Sequence, residues 1–104
     1  MSAADKVKPG DECLTIFPVT REYLCREQYA VEQLTADAAR VLARMCDSEG
    51  YDVADVTLAW QGSLKAARRG GPDVHKGAVD AAAQLPGEHE GVILFVFTGK
   101  AAKR

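Results

Sequence analysis

Apolar and polar positions along this chain follow two different periods, and the switches between them divide it into elements. Residues 1–11, "MSAADKVKPGDE" less its last residue, show neither period and end at Pro9-Gly10, which is turn chemistry. They read as a flexible lead-in. "CLTIFPV" is a short β-branched and apolar run, which predicts a strand over 12–17. Pro18 has no N–H to donate, so that strand is expected at a sheet edge or to stop there.

Residues 21–34 satisfy both periods. Leu24, Val31, Leu34 and Ala38 form a helical stripe, whereas Tyr23, Cys25 and Tyr29 suit a strand with its charges turned to water. Helix is the preferred reading. A second helix is expected from Thr35 to Glu49: Thr35 serves as N-cap, Asp37 lies in the first turn, and Gly50 provides the stop. Its apolar face is Ala38, Val41, Leu42 and Met45, with Arg40, Arg44 and Asp47 facing water.

In "YDVADVTLAW", Val53 is followed by Val56, Leu58 and Trp60 at period two, which predicts a strand ended by Gly62. "SLKAARRGG" is a helical turn started by Ser63 or an irregular loop. Pro72 suits a first helical position, so a helix is expected from Pro72 through Leu85, weakened by about 1 kcal/mol at Gly77. "PGEHEG" is a turn. "VILFVF", residues 92–97, is the most apolar run and predicts a central strand buried on both faces. The final five residues read as a basic tail.

Strands alternating with helices predict one α/β domain over residues 12–99, a two-layer sandwich. A three- to four-stranded sheet would be covered by two or three helices, and the crossovers are long enough for parallel pairing. With 104 residues there is room for one core. No apolar run reaches the ~20 residues of a membrane span, and the N-terminus lacks an apolar signal segment. A cytoplasmic protein without membrane contact is expected. The three cysteines, Cys13, Cys25 and Cys46, are odd in number and lack a C-x-x-C pair, so reduced thiols are expected. Arg21 and Arg26 stand near Cys25 and would favour its thiolate.

Charge is uneven. Residues 1–60 hold six Lys and Arg against eleven Asp and Glu, and residues 61–104 hold seven against four, for a net −2. The basic half contains the chief candidate site. Lys65, Arg68 and Arg69 lead through Gly70 and Gly71 to a helix start near His75. Guanidinium groups grip phosphate in a bidentate way, glycines admit a close backbone approach, and a helix start favours an anion. Asp73 opposes this, since its own charge would sit at the helix end. The spacing matches neither G-x-x-x-x-G-K-[ST] nor G-x-G-x-x-G.

The leading expectation is a binding protein for an anionic, phosphate-bearing small molecule such as a nucleotide. The alternative is a protein-interaction or homodimeric accessory subunit, and a small enzyme comes third. Nucleic acid, through Lys100, Lys103, Arg104 and a stacking Trp60, is less favoured, because the pI is 5.6 and a lone Trp on such a strand suits a core. No metal or cofactor is expected: Cys13, Cys25, Cys46, His75 and His89 lack ligand spacing, and the side chains of "EHE" at 88–90 would not converge. No catalytic residue is assigned, since neither Cys25 with a distant His75 or His89 nor the pair Asp52 and Asp55 is placed together by sequence.

Overall fold

The run Val92–Phe97 leaves no polar side chain to face water, so it needs cover on both faces and a strand on each edge. The structure, a computed structural model, describes residues 10–85 and 91–103 and meets that need. Three strands form one sheet: β1 (Glu12–Thr20), β2 (Tyr51–Ser63) and β3 (Val92–Lys103), in the order β1-β3-β2. The helices are α1 (Arg21–Arg26), α2 (Ala30–Asp47), α3 (Leu64–Arg69) and α4 (Lys76–Gln84). This is the expected small α/β domain with a three-stranded sheet. Its four helical segments are divided between the two sheet faces.

Alternate β3 side chains enter separate clusters. Leu94 and Val96 pack with Leu64, Ala67, Ala78 and Ala82 of α3 and α4. Phe95 and Phe97 pack with Leu34 and Ala38 of α2 and Val19 of β1. Cys13, Leu42, Cys46 and Ala101 extend the α2 side. Trp60 packs against the α3–α4 cluster, on the opposite sheet face from Val56 and Leu58, because the register shift between Leu58 and Trp60 breaks the expected period of two. Its ring lies over Gly62, where a Cβ would come within 2.5 Å of it.

Both neighbours of β3 run antiparallel to it, not parallel as the crossover lengths allowed. The connections explain this. One helix of 18 residues, about 27 Å long, carries the chain from the Thr20 end of the sheet back to the Tyr51 end, so β1 and β2 share a direction. The two short helices α3 and α4 pack on each other and return the chain to the end it left. Ser63 therefore pairs with Ile93, and β3 runs back between the other two.

Several element boundaries differ from expectation. α2 starts at Ala30 rather than Thr35, whose hydroxyl donates to the Val31 carbonyl at 2.7 Å inside the helix. The helical reading of 21–34 thus holds, as two helices broken at Glu27–Tyr29. The buried stripe of α2 is Ala30, Leu34, Ala38, Leu42 and Cys46, every fourth residue. Leu42 is buried as expected, Val41 is half-buried, and Met45 is exposed because it lies ~100° round the helix from Cys46. β1 runs past Pro18 to Thr20. α4 starts at Lys76, not Pro72, which sits instead in the turn closed by Val74 N–H on the Gly71 carbonyl. A proline's fixed φ suits the second position of such a turn. Lys100 and Lys103 lie within β3 rather than in a tail. The lead-in to Pro9, the turn residues 86–90 and Arg104 fall outside the described residues.

On the α2 side of the sheet, Gly99 is closely covered by Val53 of β2 and Leu42 of α2. A Cβ there would lie 2.7 Å from Val53 Cγ2 and 3.3 Å from Leu42 Cδ1. Val53 is β-branched and cannot swing away cheaply. Gly99→Ala should therefore destabilise the fold by about 1–3 kcal/mol, read as a lower urea midpoint at unchanged slope. An unchanged midpoint would mean that Val53 and Leu42 do not close over Gly99 this tightly.

Candidate functional site

Three places among the described residues carry chemistry: the α3–α4 corner, the thiols and the β1 side.

At the corner, Ser63 caps α3 by accepting from the Ala66 N–H, and this short helix turns Leu64 and Ala67 inward. Lys65, Arg68 and Arg69, three and four residues apart, are exposed on its outer side. Gly70, at φ 67°, ends the helix, and its N–H donates to the carbonyls of Ala66 and Ala67. Gly71, at φ 129°, opens the following turn. His75 Nδ1 accepts from the Gly77 N–H at 3.0 Å, so the imidazole caps α4 at its N-terminus. Asp73 stands outside the first turn of α4, which holds no acidic residue. Arg68 Nη2 donates to the Leu85 carbonyl at 3.1 Å, beyond the far end of α4.

The named residues therefore do not converge on one point. Arg68 and His75 act at opposite ends of a helix of nine residues, about 13 Å long. Among the described residues, Lys65 and Arg69 have no ion-pair partner. Lys100 is remote from this corner: it lies seven residues along β3 from Ile93, about 23 Å.

The thiols behave as two kinds. Cys25 is exposed on α1, where Arg26 pairs with Glu22 at 3.7 Å. Cys13 and Cys46 are buried with their Sγ atoms 3.5 Å apart. Burial pushes the Cys13 thiol from 9.0 up to about 11, helped by its contact with Cys46 and by the nearby Asp11 and Glu12 carboxylates. Sequence spacing hid this pair, 33 residues apart. The signal was Cys46 falling four residues after Leu42, on the face that meets the sheet.

Along β1 the register is constant. Ala101 N–H donates to the Asp11 carbonyl at one end, and Arg21 N–H to the Gly91 carbonyl at the other. Odd-numbered residues therefore bond to β3, and even-numbered ones turn their backbone groups to the free edge. Pro18 is even-numbered, so its missing N–H costs no ladder bond. Beside this edge lies a concavity of about 380 Å³ lined by Phe17, Pro18, Val19, Thr20, Tyr23 and Leu34. Val31, one turn before Leu34 on α2, is 42% exposed, and Tyr29 is 65% exposed. A second hollow of about 470 Å³, at the other end of α2, is lined by Ala43, Arg44, Asp47, Asp52 and Val53. Asp47 and Asp52 are already engaged there. Neither hollow includes a residue of the α3–α4 corner.

Among the described residues no group of three His, Cys, Asp or Glu could hold a metal, and no helix is long and apolar enough to cross a membrane. His89 lies outside them.

The raised Cys13 pKa has a pH consequence. A thiol held neutral by the fold contributes stability that is complete below pH 9 and lost as pH rises towards 11. The stability difference between the wild-type chain and Cys13→Ala, from urea titrations, should shrink over that interval. A difference that stays constant across it would contradict the burial of this thiol.

No protein-family model, no curated protein and no solved structure matches the chain, so a functional reading rests on this geometry.

Proposed function

We propose that this domain is a protein-interaction module that works as a homodimer, joined along β1. One observation carries the reading: among the described residues β1 is a sheet edge, and its apolar side chains are incompletely covered on both faces. Leu14 is 37% exposed on the α4 face, and Phe17 lines the concavity on the α2 face. An antiparallel second copy on this edge would continue both faces, because the two-fold axis would stand perpendicular to the sheet. With Leu14 of each copy opposite Ile16 of the other, the two would form cross-strand pairs. Glu12 of one copy would approach the Thr20–Arg21 end of the other, opposite in charge. The far edge suits this role less. β2 is broken by register shifts between Ala54 and Thr57 and between Leu58 and Trp60, with Asp55 at φ 57°. Such irregularities protect an edge from pairing.

Light scattering or sedimentation should give twice the 11.2 kDa chain mass. Leu14→Lys, which puts a charge on the seam at an already exposed position, should give a folded monomer. Met45→Lys, on the outer side of α2, should remain dimeric. A wild-type monomer at the highest soluble concentration would overturn the proposal and leave the edge to an extended segment of another protein. A dimer indifferent to Leu14→Lys would overturn the β1 seam.

A second reading, the phosphate-bearing ligand, is favoured by Lys65 and Arg69, which are exposed together and have no ion-pair partner among the described residues. Its site would be these two cations rather than the full set, since His75 and Arg68 hold the ends of α4. A thermal-shift series with ATP, sugar phosphates and an oligonucleotide should then show a shift that the Lys65→Ala, Arg69→Ala double variant loses. His75→Ala should lower stability by about 1 kcal/mol through the lost cap, with or without ligand. The absence of any shift removes this reading.

A further inference from the structure

We infer that Cys13 and Cys46 are a disulfide site, a covalent clamp between the start of β1 and the last turn of α2. Their sulfurs are already 3.5 Å apart. A disulfide needs about 2.05 Å, and rotation of two side chains can close such a gap where the backbones are held nearby. Here the backbones are held: both residues share one cluster with Leu42 and Ala101, and Tyr51 and Val53 pack against it. The two sulfurs contact one another directly. Cys25 is exposed on α1 and outside this cluster.

The oxidant is a low-molecular-weight disulfide, RSSR. Cys13 is 9% exposed and Cys46 fully buried, so Cys13 meets it first. The Cys13 thiol loses its proton, and its sulfur attacks RSSR. The RS–SR bond breaks, and one RS⁻ leaves and takes up that proton. Cys46 sulfur then attacks Cys13 sulfur in the mixed disulfide, giving its proton to the second departing RS⁻. Two protein thiols are oxidised to one disulfide, and RSSR is reduced to two RSH. The bond closes a loop whose ends are 33 positions apart in sequence. Such a closure should raise the melting temperature by on the order of 10 °C.

The test uses the full chain with Cys25→Ser, so that no exposed thiol links copies. The chain is unfolded and then refolded in a buffer of oxidised and reduced glutathione, which gives the buried pair access to oxidant. The expected product is lighter than the reduced chain by two hydrogens, yields a Cys13–Cys46 cross-linked peptide and melts higher. Dithiothreitol should reverse all three changes, and adding Cys46→Ser should abolish them. Free or glutathione-capped thiols after refolding would overturn the site. A cross-linked chain that melts lower than the reduced one would do the same, since the native fold would then resist the bond.

Discussion

Burying β3 is the constraint from which the rest of this architecture follows. Leu94, Phe95, Val96 and Phe97 are each within 1% of full burial, which requires helices on both faces and strands on both edges. Burying such a side chain stabilises by about 1.5–3 kcal/mol, so leaving either face bare would cost several times that amount. The chain supplies the cover in two packages. A single long helix protects the Phe95 and Phe97 face, and a pair of short helices protects the Leu94 and Val96 face. The helix pair returns the chain to the end of the sheet it left, which places the last strand between the first two.

The two faces are sealed differently, and the chemistry follows the sealing. α2 presents a stripe of small and medium side chains, Ala30, Ala38 and Cys46 among them, that lets its axis approach the sheet. Gly99 leaves room there for Leu42 of α2 and for Val53 of β2. One consequence is that Cys46 is driven against Cys13, so the thiol pair is a by-product of close helix–sheet packing. On the other face α3 and α4 are too short to be stable alone. They are held by caps instead: Ser63, Gly70 and His75 at their ends, with Arg68 reaching the Leu85 carbonyl. Groups that looked like a ligand cradle in sequence are occupied with ending helices.

That difference explains what could be read in advance. The strands at β2 and β3, the capped turn at Ser63 and the edge position of β1 were legible, because each depends on local period or on one residue's missing or available donor. The start of α2 was not. Thr35 has the chemistry of an N-cap, but the apolar stripe continues through Leu34 to Ala30, and tertiary burial outweighs the capping preference. Strand direction was equally hidden, since it depends on whether a crossover holds one helix or two. In the candidate site, the run of cations from Lys65 to Arg69 was legible. The engagement of Arg68 with Leu85, 17 residues away, was not.

A sheet of three strands has one interior strand and two edges, so a domain of this size must deal with as much open edge as closed ladder. This chain treats its edges unequally. β2 is irregular, with register shifts and a left-handed Asp55, and an irregular edge is a poor template for another strand. β1 is regular from Glu12 to Thr20, with Pro18 removing one donor near its end. A proline at that place blunts part of the edge while leaving the outward N–H groups of Leu14 and Ile16 in position. It also biases any pairing towards the first half of the strand, where Leu14 is exposed. The apolar concavity flanks the Pro18 end, where hydrogen bonding is weakest. Side-chain burial there can compensate for the donor that the edge lacks, and that combination favours a second chain along β1 over one along β2.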